Sequence, residues 1–145
     1  MKQLKKFEEF LKENVVKKQF PDKFRAKDLE EDSDKLYNSL ADILDKTGVN
    51  DINSSMIIKE SHDVIMGLIR SRMLLRGFSA SGIMSHEAEV SFLRVLGFNE
   101  SEVEFANQLR YFRNGIMYYG KKFDSEYAEK VFKFMKSIII KLKKL

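Results

Sequence analysis

No cysteine occurs among the 145 residues, which excludes disulfides, zinc-thiolate sites and cysteine nucleophiles and is compatible with a reducing cytoplasm. Two histidines leave little room for a metal centre, and without a Glu-x-x-His sequence the ligand set of a helical di-iron site is missing. One proline and seven glycines, set among runs of Leu, Lys, Glu, Phe and Met, provide few helix breakers, so helices are expected almost everywhere and no sheet. No stretch approaches the ~20 apolar residues of a membrane span, and residues 1–10 are charged and lack the apolar run of a signal peptide. The expectation is a cytoplasmic protein with no membrane segment, metal or cofactor. A net charge of +4, with 33% of residues charged, favours nucleic acid only where the cations cluster.

What is present is a succession of amphipathic patterns in a chain the length of one domain. Leu4, Phe7, Leu11 and Val15 keep a three-to-four spacing that predicts a first helix over residues 2–19, closed by Pro21. A second is predicted over 27–46, with Leu29, Leu36, Leu40, Ile43 and Leu44 inward and Thr47-Gly48 as its stop. These two would form an N-terminal helical hairpin (1–47). A polar linker (48–53), with Asp51 and Asn53 as candidate N-caps, would join it to a core of residues 54–145. In that core a third helix over 54–76 carries an apolar surface wide enough for a central position. Arg70, Arg72 and Arg76 near its end suit the helix dipole and read as a solvated face, or as a group facing phosphate. Ser85 is the expected N-cap of a fourth helix that Gly97 ends, Asn99 with Glu102 looks like a capping box for the fifth, and Asp124 caps the sixth. The fold class expected is an all-α, five- or six-helix up-down bundle forming one domain.

The fifth helix carries the most unusual cluster of polar and aromatic side chains, residues 109–120, Leu-Arg-Tyr-Phe-Arg-Asn-Gly-Ile-Met-Tyr-Tyr-Gly. Phe105, Leu109, Phe112, Ile116 and Tyr119 make its apolar stripe, and Arg113, Asn114 and Tyr118 lie off it. Asn114 and Tyr118 share a face, whereas Arg113 and Tyr118 diverge by about 140° on a straight helix. Bringing them together requires a distorted last turn, loosened at Gly115 and stopped at Gly120, or a second copy of the helix across a dimer axis.

Arg113-Asn114, the short gap of Gly115 to Met117, and Tyr118 trailed by Tyr119-Gly120 resemble the motif of the HEPN superfamily, in which arginine, often followed by asparagine, precedes a histidine by a short spacer. Tyr118 stands where the family has histidine. Gly77-Phe78 at the end of the third helix and Ser85-His86 at the start of the fourth also look like this family. The resemblance implies an HEPN-like core and an RNA- or nucleotide-associated homodimer. It further implies a toxin-antitoxin or nucleotidyltransferase-paired system, whose partner is a separately encoded antitoxin or nucleotidyltransferase. In HEPN ribonucleases, as the resemblance implies, metal-independent cleavage uses the RNA 2′-hydroxyl as nucleophile, with the motif arginine and histidine meeting in a dimer cleft. Arg113 would supply the phosphate-stabilising cation. Tyr118 is a poor proton shuttle, because a phenol with a pKa near 10 stays protonated at neutral pH. The candidate catalytic residues are therefore Arg113 and Tyr118, with no efficient ribonuclease activity expected. The candidate RNA or nucleotide contacts are Arg110, Arg113, Asn114, Tyr118 and His86.

Two other readings compete. In one, Arg113 pairs with an acid on a neighbouring helix, Asn114 bonds backbone and Tyr118 packs at a dimer seam, giving a helical dimerisation or interaction module with no nucleotide ligand. In the other, Tyr118 or His86 replaces the missing histidine in an active metal-independent ribonuclease. His62 is expected at the surface or core edge. His86, in the first turn of a helix where the cationic form is disfavoured, either orders the 79–85 loop or touches a ligand. No Gly-Lys-Ser/Thr follows the loop at 77–82, which excludes a P-loop.

Overall fold

The computed structural model describes residues 3–119, the last three by backbone alone, and 122–145. The elements are α1 (Phe7–Lys12), β1 (Val16–Lys18), α2 (Lys23–Thr47), α3 (Ser54–Leu75), β2 (Phe78–Ala80), α4 (Ser85–Val95), α5 (Glu100–Tyr119) and α6 (Ser125–Lys143). This is the expected all-α bundle, with six helices among the described residues. None of them is long and apolar enough to cross a membrane.

The spine is α3, buried around most of its circumference because α2, α4, α5 and α6 all pack on it. It lies tight against α2 at Gly67, where an added Cβ would stand 2.2 Å from Ser33 Oγ. That hydroxyl is already turned to donate to the Val64 carbonyl at 3.1 Å. Further along, Ser71 Oγ donates to the Ala26 carbonyl at 2.7 Å. Buried Arg72 donates to the Glu30 carboxylate of α2 and, at 2.9 Å, to the Leu142 carbonyl of α6, so one guanidinium joins three helices. Between α5 and α6 lies an aromatic cluster in which Phe105 meets Phe134 at 4.3 Å and Phe112 meets Phe123 at 4.9 Å between ring centroids. Burial in it pushes the Tyr127 phenol up to about 12.

Side-chain caps set three of the helix starts. Asp22 accepts from the Arg25 N–H at 3.0 Å to start α2, and Asp124 accepts from the Tyr127 N–H at 2.9 Å to start α6. Asn99 and Glu102 form the reciprocal box at α5, with bonds of 2.8 and 3.1 Å.

The N-terminal third departs from the sequence pattern. Instead of a helix over 2–19 there is only the short α1, because Asn14 adopts φ 61°, a left-handed conformation that asparagine tolerates better than most residues. The chain then extends through the β-branched Val15-Val16, and β1 pairs antiparallel with β2, Val16 opposite Ala80. The expectation of no sheet is corrected accordingly. Rather than pairing with α2, α1 packs on α4, with Phe7 5.0 Å from Phe92 and 5.2 Å from Phe78 between centroids, while α2 packs on α3. Asn53 does occupy the N-cap position of α3, though without a side-chain capping bond, while Asp51 acts elsewhere. Asn53 donates back to the Gly48 carbonyl at 2.8 Å, and Asp51 accepts from the Ser125 N–H at 3.0 Å in the first turn of α6. Met84, not Ser85, occupies the N-cap position of α4. The three arginines at the end of α3 and just past it do not share a solvated face: Arg72 is buried, Arg70 half-buried and Arg76, at the C-cap, exposed.

Candidate functional site

Where α3 passes α4 and α5, the polar residues that interrupt their apolar stripes meet. From α5, Arg113 Nη2 donates to Asp63 Oδ2 of α3 at 3.4 Å. The Arg113 side chain is 20% exposed, and its Nε is buried with no acceptor among the described residues. The other oxygen of Asp63 receives His62 Nδ1 at 2.8 Å. An ionised carboxylate only accepts, so the His62 proton sits on Nδ1, and buried Nε2, with no partner among the described residues, carries the lone pair. Burial lowers the His62 pKa by more than its bond to Asp63 raises it, and Arg113 and Arg70 lower it further. For Asp63, burial acts upward, but the His62 hydrogen bond and the Arg113 charge outweigh it and hold the carboxyl low.

Two more pairs extend the cluster. Arg110, largely buried, donates through Nε to Asn107 Oδ1 at 3.0 Å and through Nη1 to Glu87 Oε1 at 3.2 Å. Arg70 Nε meets Glu89 Oε2 at 2.5 Å. The second Glu89 oxygen is buried with no donor among the described residues, and burial raises its pKa although Arg70 opposes. Beside these stands His86, in the first turn of α4. Burial lowers its pKa first, and the positive charges of Arg70, Arg113 and Arg110, with His62 whenever it is protonated, act in the same direction.

Of the residues singled out in the sequence, Arg110, Arg113 and His86 are thus brought together. Arg110 turns inward to Glu87 rather than outward. Asn114 is half-buried on the same helix, and the Tyr118 side chain and Gly120 lie outside the described residues. The helix α5 runs unbroken through Gly115 to Tyr119, so no loosened turn begins at Gly115. His62 is buried, not at the surface, because α3 is enclosed on nearly all sides. The acids Asp63, Glu87 and Glu89 escaped the sequence reading. Only the adjacency His62-Asp63 hinted at one of them, since a helix pattern does not reveal which charges face each other across helices.

Chemically, the cluster holds three guanidinium groups against three carboxylates, a compensated set with one weak link at the 3.4 Å contact of Arg113. An anion could enter there by taking the place of Asp63 on the guanidinium fork. Among the described residues no group of His, Asp and Glu has the arrangement to hold a metal ion. Comparison of the chain with protein-family models, with curated proteins and with solved structures finds no match.

Proposed function

We propose that this is an HEPN-like, RNA- or nucleotide-associated homodimer without efficient ribonuclease activity. It acts in the cytoplasm with a separately encoded partner, an antitoxin or nucleotidyltransferase. The observation that carries this reading is the state of Arg113. The motif arginine lies among Arg110, Arg70 and His86, and among the described residues its Nε is buried without an acceptor and its one acid contact is long. A guanidinium held this loosely can offer two parallel donors to a phosphate. Neutral His86, kept unprotonated by burial and by its cationic neighbours, is available to hydrogen-bond a ligand without repelling the arginines.

Titration of the protein with single-stranded RNA and with ATP tests the proposal. Weak binding is expected that falls as salt rises, since released counterions supply much of the affinity, and Arg113→Ala should abolish it. Sedimentation should give a dimer. No binding of either ligand at low salt would overturn the reading. Robust metal-free cleavage, lost in Arg113→Ala and in Tyr118→Phe, would instead support an active ribonuclease. A second reading, an interaction module with no nucleotide ligand, is favoured by the carboxylate partner that each arginine of the cluster has.

A further inference from the structure

A different basic surface lies at the corner where β1 turns into α2. Phe20 and Phe24 are 94% and 88% exposed there, and Lys17, Lys18, Lys23 and Arg25 around them are exposed as well. The corner is anchored to the end of α3, because the Gln19 N–H donates to the Gly77 carbonyl at 2.9 Å and the Asp22 N–H to the Leu74 carbonyl at 3.1 Å. That anchoring brings exposed Arg76 alongside. Among the described residues none of these five cations enters a salt bridge, unlike the arginines of the α3–α4–α5 cluster. The acid within the turn, Asp22, is engaged in capping α2.

Arg25 also lines a pocket of about 310 Å³ between α2, α3 and β2. Leu29, Met73, Leu74 and Phe78 form its apolar wall, and Arg70 and Glu89 are polar groups within it. The Glu89 side chain is 5% exposed, and its Oε1 is buried with no donor among the described residues, an acceptor that lacks a partner. Along β2, the Gly77 carbonyl and the Ser81 N–H bond toward the β1 side. By antiparallel alternation the backbone groups of Phe78 and Ala80 point off the opposite edge.

We propose that this corner binds single-stranded RNA. One nucleobase enters the pocket and presents an N–H to Glu89 Oε1, adjacent bases stack on Phe20 and Phe24, and the phosphates lie along Lys18, Lys23, Arg25 and Arg76. A lipid surface could engage the phenylalanines and the cations. It has no use for a buried acceptor at the side of an apolar pocket, whereas amino and imino groups of bases match it. The inference rests on the reading that the protein associates with RNA, and it extends the α5 cluster, with which it shares Arg70 and Glu89, by a surface built from α2, the end of α3 and the strand pair.

Fluorescence anisotropy with labelled homopolymer oligoribonucleotides on the full chain tests it, with anionic vesicles of phosphatidylserine and phosphatidylcholine as a parallel arm. Phe20→Ala and Phe24→Ala should each weaken RNA binding about tenfold, about 1.4 kcal/mol, with unchanged melting because both rings are exposed. Lys18→Ala and Arg25→Ala should each flatten the slope of log K against log salt by about 0.7. RNA binding that survives the phenylalanine variants and is lost in Arg113→Ala would overturn the corner site while leaving the α5 proposal standing. Loss in the phenylalanine variants with Arg113→Ala unaffected would support the corner and remove RNA contact from α5. No RNA binding by the unaltered protein would overturn both, and binding to vesicles in its place would assign the corner to a membrane surface.

Discussion

Replacing Arg113 with alanine should cost little stability and remove RNA affinity, and the size of the first effect can be worked from the site. A buried ion pair that loses one partner typically costs about 3–5 kcal/mol, because a charge is left unpaired in a dry environment. Here the environment is wetter and the acid is not abandoned. The Asp63 side chain is 39% exposed, the contact is 3.4 Å, and His62 still donates to Asp63 at 2.8 Å after the change. Truncation also deletes a buried Nε that has no acceptor among the described residues, relieving a desolvated donor. The net loss should therefore lie near the exposed-pair range, about 1 kcal/mol, which for a chain of this length lowers the melting temperature by about 4 °C. Thermal and urea unfolding followed by circular dichroism, run beside the RNA titration, read both quantities. A loss above about 3 kcal/mol, with binding reduced only in proportion to the unfolded fraction, would refute the reasoning. It would make Arg113 a scaffold residue and favour the interaction-module reading.

Arg72→Met is the contrasting case. The arginine side chain is 8% exposed and bridges Glu30 and the Leu142 carbonyl, so about 3 kcal/mol should be lost in urea unfolding, and a change under 1 kcal/mol would contradict the bridging role. Gly67→Ala should destabilise by about 1–3 kcal/mol through the 2.2 Å approach to Ser33 Oγ. Adding Ser33→Ala should restore most of it, since the next atom, Ser33 Cβ, lies at an ordinary 3.6 Å; a double variant no better than the single one would disprove the clash. His62 is held neutral by burial in the folded chain, whereas the unfolded histidine titrates near 6.5. The unfolded state thus takes the proton first, and stability is lost as pH falls below about 6.5, by up to about 1.4 kcal/mol per pH unit until folded His62 itself titrates. Glu89, whose pKa is raised, acts in the opposite sense, losing stability as pH rises above about 4.5. Comparing wild type with His62→Gln between pH 5 and 7 isolates the histidine, and identical pH slopes in the two would show that His62 is not the source.

Helices α3 to α6 are legible in the amino-acid order because their determinants act within one or two turns. The reciprocal Asn99–Glu102 bonds, the Asp124 cap and the left-handed Gly97 at φ 94° follow from side chains three residues apart or from one residue's steric freedom. The apolar stripes likewise announce which faces turn inward. Tertiary structure alone decided what stands opposite those faces. Asp63 and Arg113 are fifty residues apart, Arg72 and Leu142 seventy, and Asp51 reaches Ser125 over seventy-four. Each of these pairs depends on how one helix is rotated and seated against another. The same holds for α1, where a helical period at Leu4, Phe7, Leu11 and Val15 yielded to a strand pairing with residues 78–80. It holds too for Phe20 and Phe24, whose exposure no local pattern announces. Periodicity specifies the face that an element buries, whereas the identity of its polar partners is set by long-range packing, and the candidate sites are made of those partners.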